Sequence, residues 1–149
     1  MQNRTVQKSE IRNYVLEIIA GKIKKLEDFI EFTIDASRDI KKTPKYDSIR
    51  EEIQEEIYQM QRQLGSLNDL QRHMVKVLNA PTDTVQLGSM VFTNKARFYI
   101  SVSLGEFFYE GDRFYAISEQ SPMAQVMFGK VAGDSFVLNN ISQTIQNVM

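Results

Sequence analysis

The sequence contains no cysteine, no tryptophan and a single histidine among its 149 residues. Without cysteine there is no disulfide, no thiolate metal site and no cysteine nucleophile, so the fold depends on its apolar core. The histidine, His73, stands alone on a charged segment, whereas acid–base or metal chemistry needs several convergent groups. A glycine-rich phosphate-binding loop is also missing. We therefore expect that the protein is not an enzyme in its own right.

The sequence also lacks an excess of charge of one sign and long apolar runs. The 18 basic and 19 acidic side chains nearly balance, which is not the signature of a general nucleic-acid binder. No stretch has the length and apolarity of a membrane span, and the N-terminal residues lack the pattern of a signal peptide. We expect a cytoplasmic protein with no membrane partner and no cofactor of its own.

Composition divides the chain into two parts. Residues 9–79 contain one proline and two glycines and are rich in Lys, Glu, Gln and Arg, a helical composition. Later in the chain Phe, Tyr, Val and Ser alternate and glycine recurs, which is typical of strands and turns. Pro81 lies between the two parts and stops a helix. We predict a helical arm at residues 1–79, a linker at 80–84 and a second domain at 85–149.

Apolar residues of the first part form two seams with the alternating spacing of three and four that is typical of a coiled coil. Between the seams, Thr43 is suited to cap the second helix and Pro44 to occupy its first turn. We predict an antiparallel helical hairpin with its tip near residues 39–46. The first seam comprises Leu16, Ile19, Ile23, Leu26, Ile30, Thr33 and Ser37, and the second Ile49, Ile53, Ile57, Met60, Leu64, Leu67, Met74 and Leu78.

The only two glycines of the arm lie at equal distances from the centre of the predicted hairpin. A hairpin centred on residue 43 places Gly21 opposite Gly65. Either the helices approach each other closely there, or both are ordinary tolerated helix glycines, at a cost of about 1 kcal/mol each.

The second part predicts a small antiparallel or mixed sheet packed on one short helix, so the fold class is α+β. The helix is predicted at Pro122–Phe128. Strands are predicted near 85–93, 96–103, 107–118, 134–139 and 141–148.

The tip carries a local excess of positive charge. Thirteen residues, 38–50, hold five basic and two acidic side chains, a net charge of +3. Such a cluster suits a phosphate or an acidic pocket, or it is a solvated loop beside the acidic run that follows it. The cations are Arg38, Lys41, Lys42, Lys45 and Arg50, and the acids are Asp39 and Asp47.

One segment of the second domain carries a specific motif. Residues 121–134 read Ser-Pro-Met-Ala-Gln-Val-Met-Phe-Gly-Lys-Val-Ala-Gly-Asp. This resembles the C-terminal signature of the bacterial transcript-cleavage factors GreA and GreB, which is Ser-Pro-aliphatic-Ala, two variable residues, an apolar pair, Gly-Lys and Gly-Asp. The segment Leu87–Val91 is similar to the first strand of that family. The resemblance implies a coiled-coil hairpin followed by an FKBP-like domain.

The same resemblance implies a partner and a function in transcription elongation. Gre factors bind bacterial RNA polymerase on DNA: their globular domain docks at the rim of the secondary channel and their hairpin reaches through it to the active centre. Ser121, Pro122 and Met123 match the segment implicated in docking. Capping and packing of the short helix is a second role that these three residues fit.

The tip matches the Gre pattern at Asp39, Lys41, Tyr46, Arg50 and Glu51, but it departs from it at the neighbouring position 42. There a lysine, Lys42, stands where the family has its second carboxylate.

The departure bears on metal binding. In Gre factors the two acids hold a second Mg²⁺ at the polymerase active centre, in keeping with the preference of this ion for hard oxygen ligands. An ammonium group at Lys42 repels the metal at close range. Asp39 is then the one family-matched ligand for an Mg²⁺ shared with polymerase, and Asp35 and Asp47 are nearby replacement acids.

These observations favour a Gre-like regulator that binds RNA polymerase at the secondary channel without efficient transcript cleavage. Its tip lysines are expected to meet nascent RNA, nucleotide phosphates or acidic residues of the polymerase. Two alternatives stay open: a true cleavage-stimulating factor with rearranged acids, and a coiled-coil interaction module with another partner.

Overall fold

A computed structural model describes residues 4–149, so the first three residues of the predicted arm lie outside the described part. The chain divides into two compact units, one of residues 17–71 and one that combines residues up to 16 with 72–149. Helix α1 spans Arg4–Arg38, a 3₁₀ turn spans Pro44–Tyr46, and helix α2 spans Asp47–Met74. The strands and the third helix follow in the order β1 Met90–Thr93, β2 Arg97–Ser101, β3 Gly105–Tyr109, β4 Asp112–Ser118, α3 Pro122–Met127, β5 Ser135–Leu138 and β6 Ile141–Val148. The α+β class, a helical hairpin followed by a small sheet domain, is confirmed.

The unit of residues 17–71 is the helical hairpin. Ile30 of α1 is buried with Ile57 and Met60 of α2, so apolar residues of the two predicted seams meet. At the end of the first seam the structure differs from the prediction: Ile34 packs against this cluster, whereas the Thr33 hydroxyl donates a 2.8 Å hydrogen bond to a carbonyl oxygen of its own helix. None of the helices within residues 4–149 is long and apolar enough to cross a membrane.

Gly21 and Gly65 do not mark a close approach of the helices. Both are exposed, and a methyl group added at either one meets no atom within 4 Å. They are tolerated helix glycines, the simpler of the two readings.

The second unit joins the base of the hairpin to the sheet domain. Helix α2 ends at Met74, earlier than the sequence predicts, because side chains of α1 bind the carbonyl groups that follow. Arg12 donates to the carbonyl oxygens of Met74 and Val77 at 3.1 and 2.8 Å. The Lys8 ammonium, fully buried, donates to the carbonyl oxygen of Ala80 at 2.8 Å. The bond to Met74 satisfies a carbonyl group that the helix end leaves open, and the bonds to Val77 and Ala80 hold the segment that follows the helix.

The six strands form one mixed sheet in the order β3-β4-β2-β1-β6-β5, in which β2 and β4 are parallel and the other neighbours antiparallel. Helix α3 packs on this sheet through the buried Ala124 and Met127, over a core that includes Phe98, Ile100 and Ile145.

Two predicted strands are corrected. The strand expected at 107–118 is a hairpin of β3 and β4, because Glu110 and Gly111 adopt positive φ angles of 51° and 84° and turn the chain. The strand expected at 85–93 begins only at Met90. Before it, Gly88 has a φ of 93° and Ser89 is buried with its hydroxyl 2.6 Å from that of Thr82.

Candidate functional site

The tip of the hairpin is a short irregular loop between Arg38 and Pro44. Pro44 opens the 3₁₀ turn that leads into α2, as the sequence predicts for a first-turn proline. Thr43 has the extended backbone of a helix cap, but its side chain makes no capping hydrogen bond, so that part of the prediction is wrong. The carbonyl oxygen of Thr43 instead accepts a 2.9 Å hydrogen bond from the amide of Tyr46.

Arg50 organises this loop. One guanidinium nitrogen donates to the carbonyl oxygen of Lys41 at 2.7 Å and to that of Thr43 at 3.3 Å. A second nitrogen pairs with the Asp47 carboxylate. Three groups of the tip are thus held by one planar, permanently charged guanidinium group.

The acidic residues of the tip differ in whether they are paired with a basic side chain. Asp35 pairs with Arg38 at 3.0 Å and Asp47 pairs with Arg50, so both replacement acids are engaged by arginine. Within residues 4–149 the carboxylate of Asp39 makes no hydrogen bond or ion pair. The same part of the chain holds no group of three or more acidic or histidine side chains that is suited to a metal ion. One carboxylate beside lysines does not fit Mg²⁺, which needs several oxygen ligands.

The lysines of the tip are exposed. The Lys45 ammonium lies 5.7 Å from the centre of the Tyr46 ring, a distance at which a cation is attracted by an aromatic face. For Lys41, Lys42 and Lys45, no carboxylate partner lies within the described chain. The structure therefore brings the predicted tip residues together, with Arg50 and Asp47 fixing the loop and three ammonium groups facing solvent.

The predicted docking segment begins α3. Ser121 caps the helix: its hydroxyl accepts a 3.2 Å bond from the amide of Ala124 and donates a 2.8 Å bond to the carbonyl oxygen of Ser118. Pro122 is exposed at the first helical position, and Met123 is half-buried against the core. Ser121 and Met123 thus have clear structural roles, and Pro122 offers the freest surface of the three.

The remaining signature residues shape the turns after α3. Gly129 has a φ of 80°, and its amide donates to the carbonyl oxygen of Val85 at 3.0 Å. Gly133 has a φ of 97°, a left-handed conformation that favours glycine. The Asp134 carboxylate accepts a 2.9 Å bond from the amide of Val131. Local backbone geometry accounts for these residue types.

One cluster of basic and aromatic side chains is not predicted from the sequence. Lys95, Arg97 and Arg113 line one groove at an end of the sheet, with the aromatic side chains Phe108 and Tyr115. A signal was present, because these three are among only four basic residues after position 79. The single strand predicted at 107–118 places Arg113 in its middle, away from the end of the sheet, and so does not indicate the cluster.

Comparison with known proteins finds similarity at the level of structure. No protein-family model and no curated protein sequence matches the chain. The structure is similar to the crystal structure of GreA factor homolog 1 (Gfh1) of Thermus thermophilus, with 17% sequence identity over 94% of this chain and 93% of that chain and a TM-score of 0.35. At this score the two backbones superpose only loosely, so the similarity by itself carries no conclusion about function.

Proposed function

We propose that this protein is a Gre-like transcription regulator that binds bacterial RNA polymerase at the secondary channel and acts without efficient transcript cleavage. The observation that carries the proposal is the tip: it exposes three ammonium groups, and its carboxylate at Asp39 has no cationic partner in residues 4–149. The partner is supported by the resemblance of residues 121–134 to the Gre signature.

The absence of efficient cleavage follows from the charges. An acid pair offsets much of the charge of Mg²⁺, whereas Asp39 alone offsets half and the neighbouring lysines repel the ion. The two other acids of the tip are already paired with Arg38 and Arg50. The protein would then supply no metal site and no active site of its own, and an Mg²⁺ bound in the complex would depend on polymerase ligands.

The lysines give the tip a different task. Ammonium groups form strong charge-assisted hydrogen bonds with phosphate and carboxylate oxygens. Lys41, Lys42 and Lys45 would meet the phosphates of nascent RNA or of an entering nucleotide, or acidic residues of the polymerase. Because Arg50 fixes the loop, these ammonium groups need less ordering on binding, which favours affinity.

The test is RNA cleavage in a stalled, backtracked elongation complex of the cognate polymerase. The protein alone should release no short 3′-end RNA, and it should suppress cleavage by an authentic Gre factor added in competition. Short products that disappear with Asp39→Ala would establish the cleavage-stimulating alternative instead. Failure to retain polymerase in a pull-down would favour the interaction module with another partner.

Neutralising the tip lysines distinguishes their contribution to the suppression of cleavage from the docking of the protein on polymerase. We expect the triple change of Lys41, Lys42 and Lys45 to Gln to abolish the suppression while polymerase is still retained. Lys22→Gln with Lys25→Gln, two exposed lysines elsewhere on α1, is the charge control and should leave suppression intact. Equal suppression by both sets of variants contradicts a role for the tip.

A further inference from the structure

A groove at one end of the sheet gathers basic and aromatic side chains. Lys95 lies in the turn between β1 and β2, Arg97 is the first residue of β2, and Arg113 is the second of β4. Because β2 and β4 pair in parallel, their first residues lie at the same end of the sheet. With the β3–β4 turn, these residues enclose an open groove of about 340 Å³.

The cations of the groove are only loosely neutralised. The nearest atoms of the Arg97–Asp112 pair are 3.7 Å apart and those of the Arg113–Glu106 pair 3.8 Å, with all four side chains substantially exposed. Such ion pairs contribute about 0–1 kcal/mol and rearrange readily when a stronger anion arrives. Lys95 is exposed and has no carboxylate partner among residues 4–149.

Aromatic surface lies directly beside these cations. Phe108 leaves half of its surface exposed on the edge strand β3, and the guanidinium carbon of Arg113 is 5.8 Å from the centre of its ring. Arg113 also donates to the Tyr115 hydroxyl at 3.4 Å. Arg97 lies toward the opposite face of the sheet, 5.9 Å from the centre of the Phe114 ring. The guanidinium group of Arg113 is therefore the one that is partly positioned beside Phe108 before a ligand binds.

We propose that this groove binds a nucleotide unit, with the phosphate at Lys95 and the base stacked on Phe108 and Arg113. A cationic groove next to exposed aromatic rings is the arrangement that proteins use for unpaired nucleotides, because every base offers a flat face for stacking. A nucleotide engages a cation through its phosphate and the ring of Phe108 through its base, whereas the acidic side chains of a peptide engage the cations alone. The site lies in the sheet unit and is independent of the function proposed above.

The two sources of such a unit are single-stranded nucleic acid and a free nucleotide. The test measures fluorescence anisotropy of a labelled oligouridylate of about eight nucleotides, a length within the usual site size for such grooves, at low salt with the full chain. Uridine monophosphate and inorganic phosphate are then added as competitors. Competition by the monophosphate at a similar concentration identifies a free nucleotide as the ligand, and its failure to compete identifies the strand.

Variants inside and outside the groove test whether the ligand binds there. Phe108→Ala should weaken binding about tenfold, as expected for one lost stacking contact, whereas Val137→Ala, an exposed apolar residue on the other edge strand, should not. Lys95→Gln should lower the slope of log affinity against log salt by about 1. Lys76→Gln is its charge control. Unchanged thermal unfolding shows that each variant is folded, and exposed Lys95 can be replaced without disturbing packing.

Two outcomes would overturn the proposal. One is that neither the oligouridylate nor the monophosphate binds the unaltered protein. The other is that neutralising Lys41, Lys42 and Lys45 removes all binding while Phe108→Ala and Lys95→Gln bind normally, since the tip would then be the whole site.

Discussion

The guanidinium of Arg50 donates a 2.7 Å hydrogen bond to the carbonyl oxygen of Lys41, nine residues earlier in the chain. The bond joins the first turns of α2 to the loop that follows α1, and the same side chain also holds Asp47. The conformation in which the tip presents its lysines thus depends on an arginine that is itself only partly exposed. A loop of this length without such a bond has many conformations to lose on binding.

Replacing Arg50 should loosen the tip and leave the rest of the hairpin intact. We expect Arg50→Ala to speed amide exchange at Tyr46 at least about tenfold, because the variant loses two hydrogen bonds to loop carbonyl groups and the pairing with Asp47, and one charge-assisted hydrogen bond alone is worth about 1.5 kcal/mol. Hydrogen exchange followed by NMR or mass spectrometry measures this. Arg38→Ala, which removes an exposed i,i+3 pair with Asp35, is the control and should not change that amide. Equal exchange in both variants would mean that Arg50 does not hold the loop.

Replacing glycine by alanine should change the free energy of unfolding in opposite directions at the helix glycines and at Gly88. Gly21→Ala and Gly65→Ala should each raise the free energy of unfolding by about 0.5–1 kcal/mol, because alanine is the better helix former and the added methyl meets no neighbour. Gly88→Ala should lower it by more than that, since the methyl would lie 2.8 Å from the Leu78 carbonyl oxygen at a φ of 93°. Urea unfolding measures all three. Destabilisation by both helix substitutions would point to a packing role that the structure lacks.

Periodicity predicts the hairpin well and its ends poorly. The seam residues Ile30 and Ile57 are buried together because two neighbouring helices with matching apolar stripes cover each other's stripe. The end of α2 at Met74 depends instead on Arg12, which is more than sixty residues away in the sequence. No local pattern reports such a contact.

The candidate sites show the same contrast between features that depend on local sequence and features that depend on distant contacts. Sequence selects the charged tip, because its composition is local, but it does not reveal that Asp35 and Asp47 are each paired with an arginine. The sheet-end groove does not follow from the sequence, because it exists only once β4 pairs in parallel with β2. A turn at Glu110 and Gly111 makes this pairing possible. The single strand predicted through these residues does not contain the turn and therefore does not predict the pairing.

Tyr99 should make stability fall at high pH. Its side chain is fully buried, and its hydroxyl has no hydrogen-bond partner in the described chain. Burial raises the pKa of Tyr99 to about 12, although the charge of Arg12 acts in the opposite direction. Between pH 10, where the unfolded phenol titrates, and pH 12, the folded state keeps a proton that the unfolded state has lost. The free energy of unfolding should therefore fall as pH rises through this interval.

Tyr99→Phe isolates this effect. The variant should unfold with a weaker dependence on pH between 10 and 12, and at neutral pH it should be as stable as the unaltered protein or more stable by about 1 kcal/mol, because an unpaired buried hydroxyl is removed. Urea unfolding at several pH values measures both. Tyr58→Phe, at an exposed tyrosine of α2, is the control. A large loss of stability at neutral pH would mean that the hydroxyl has a partner.

Lys42 is the position where a single change should alter the activity proposed for the tip. Lys42→Glu removes the ammonium group and places a second carboxylate near Asp39, whose own carboxylate is free of cationic partners in residues 4–149. Two hard oxygen donors are a better fit to Mg²⁺ than one donor beside a cation. We expect cleavage of RNA in a backtracked polymerase complex to rise by on the order of tenfold, the scale of ligand-shell changes at metal sites.

Lys45→Glu is the matched control for that gain, because it makes the same change of charge beside the Tyr46 ring instead of at the position of the second acid. A gain with both variants would indicate that the net charge of the tip, and not the position of the carboxylate, limits cleavage. No gain with either, while polymerase is still retained, would mean that the tip does not reach the catalytic metal ions. The position-specific result is expected because Mg²⁺ binding depends on ligand geometry as well as charge.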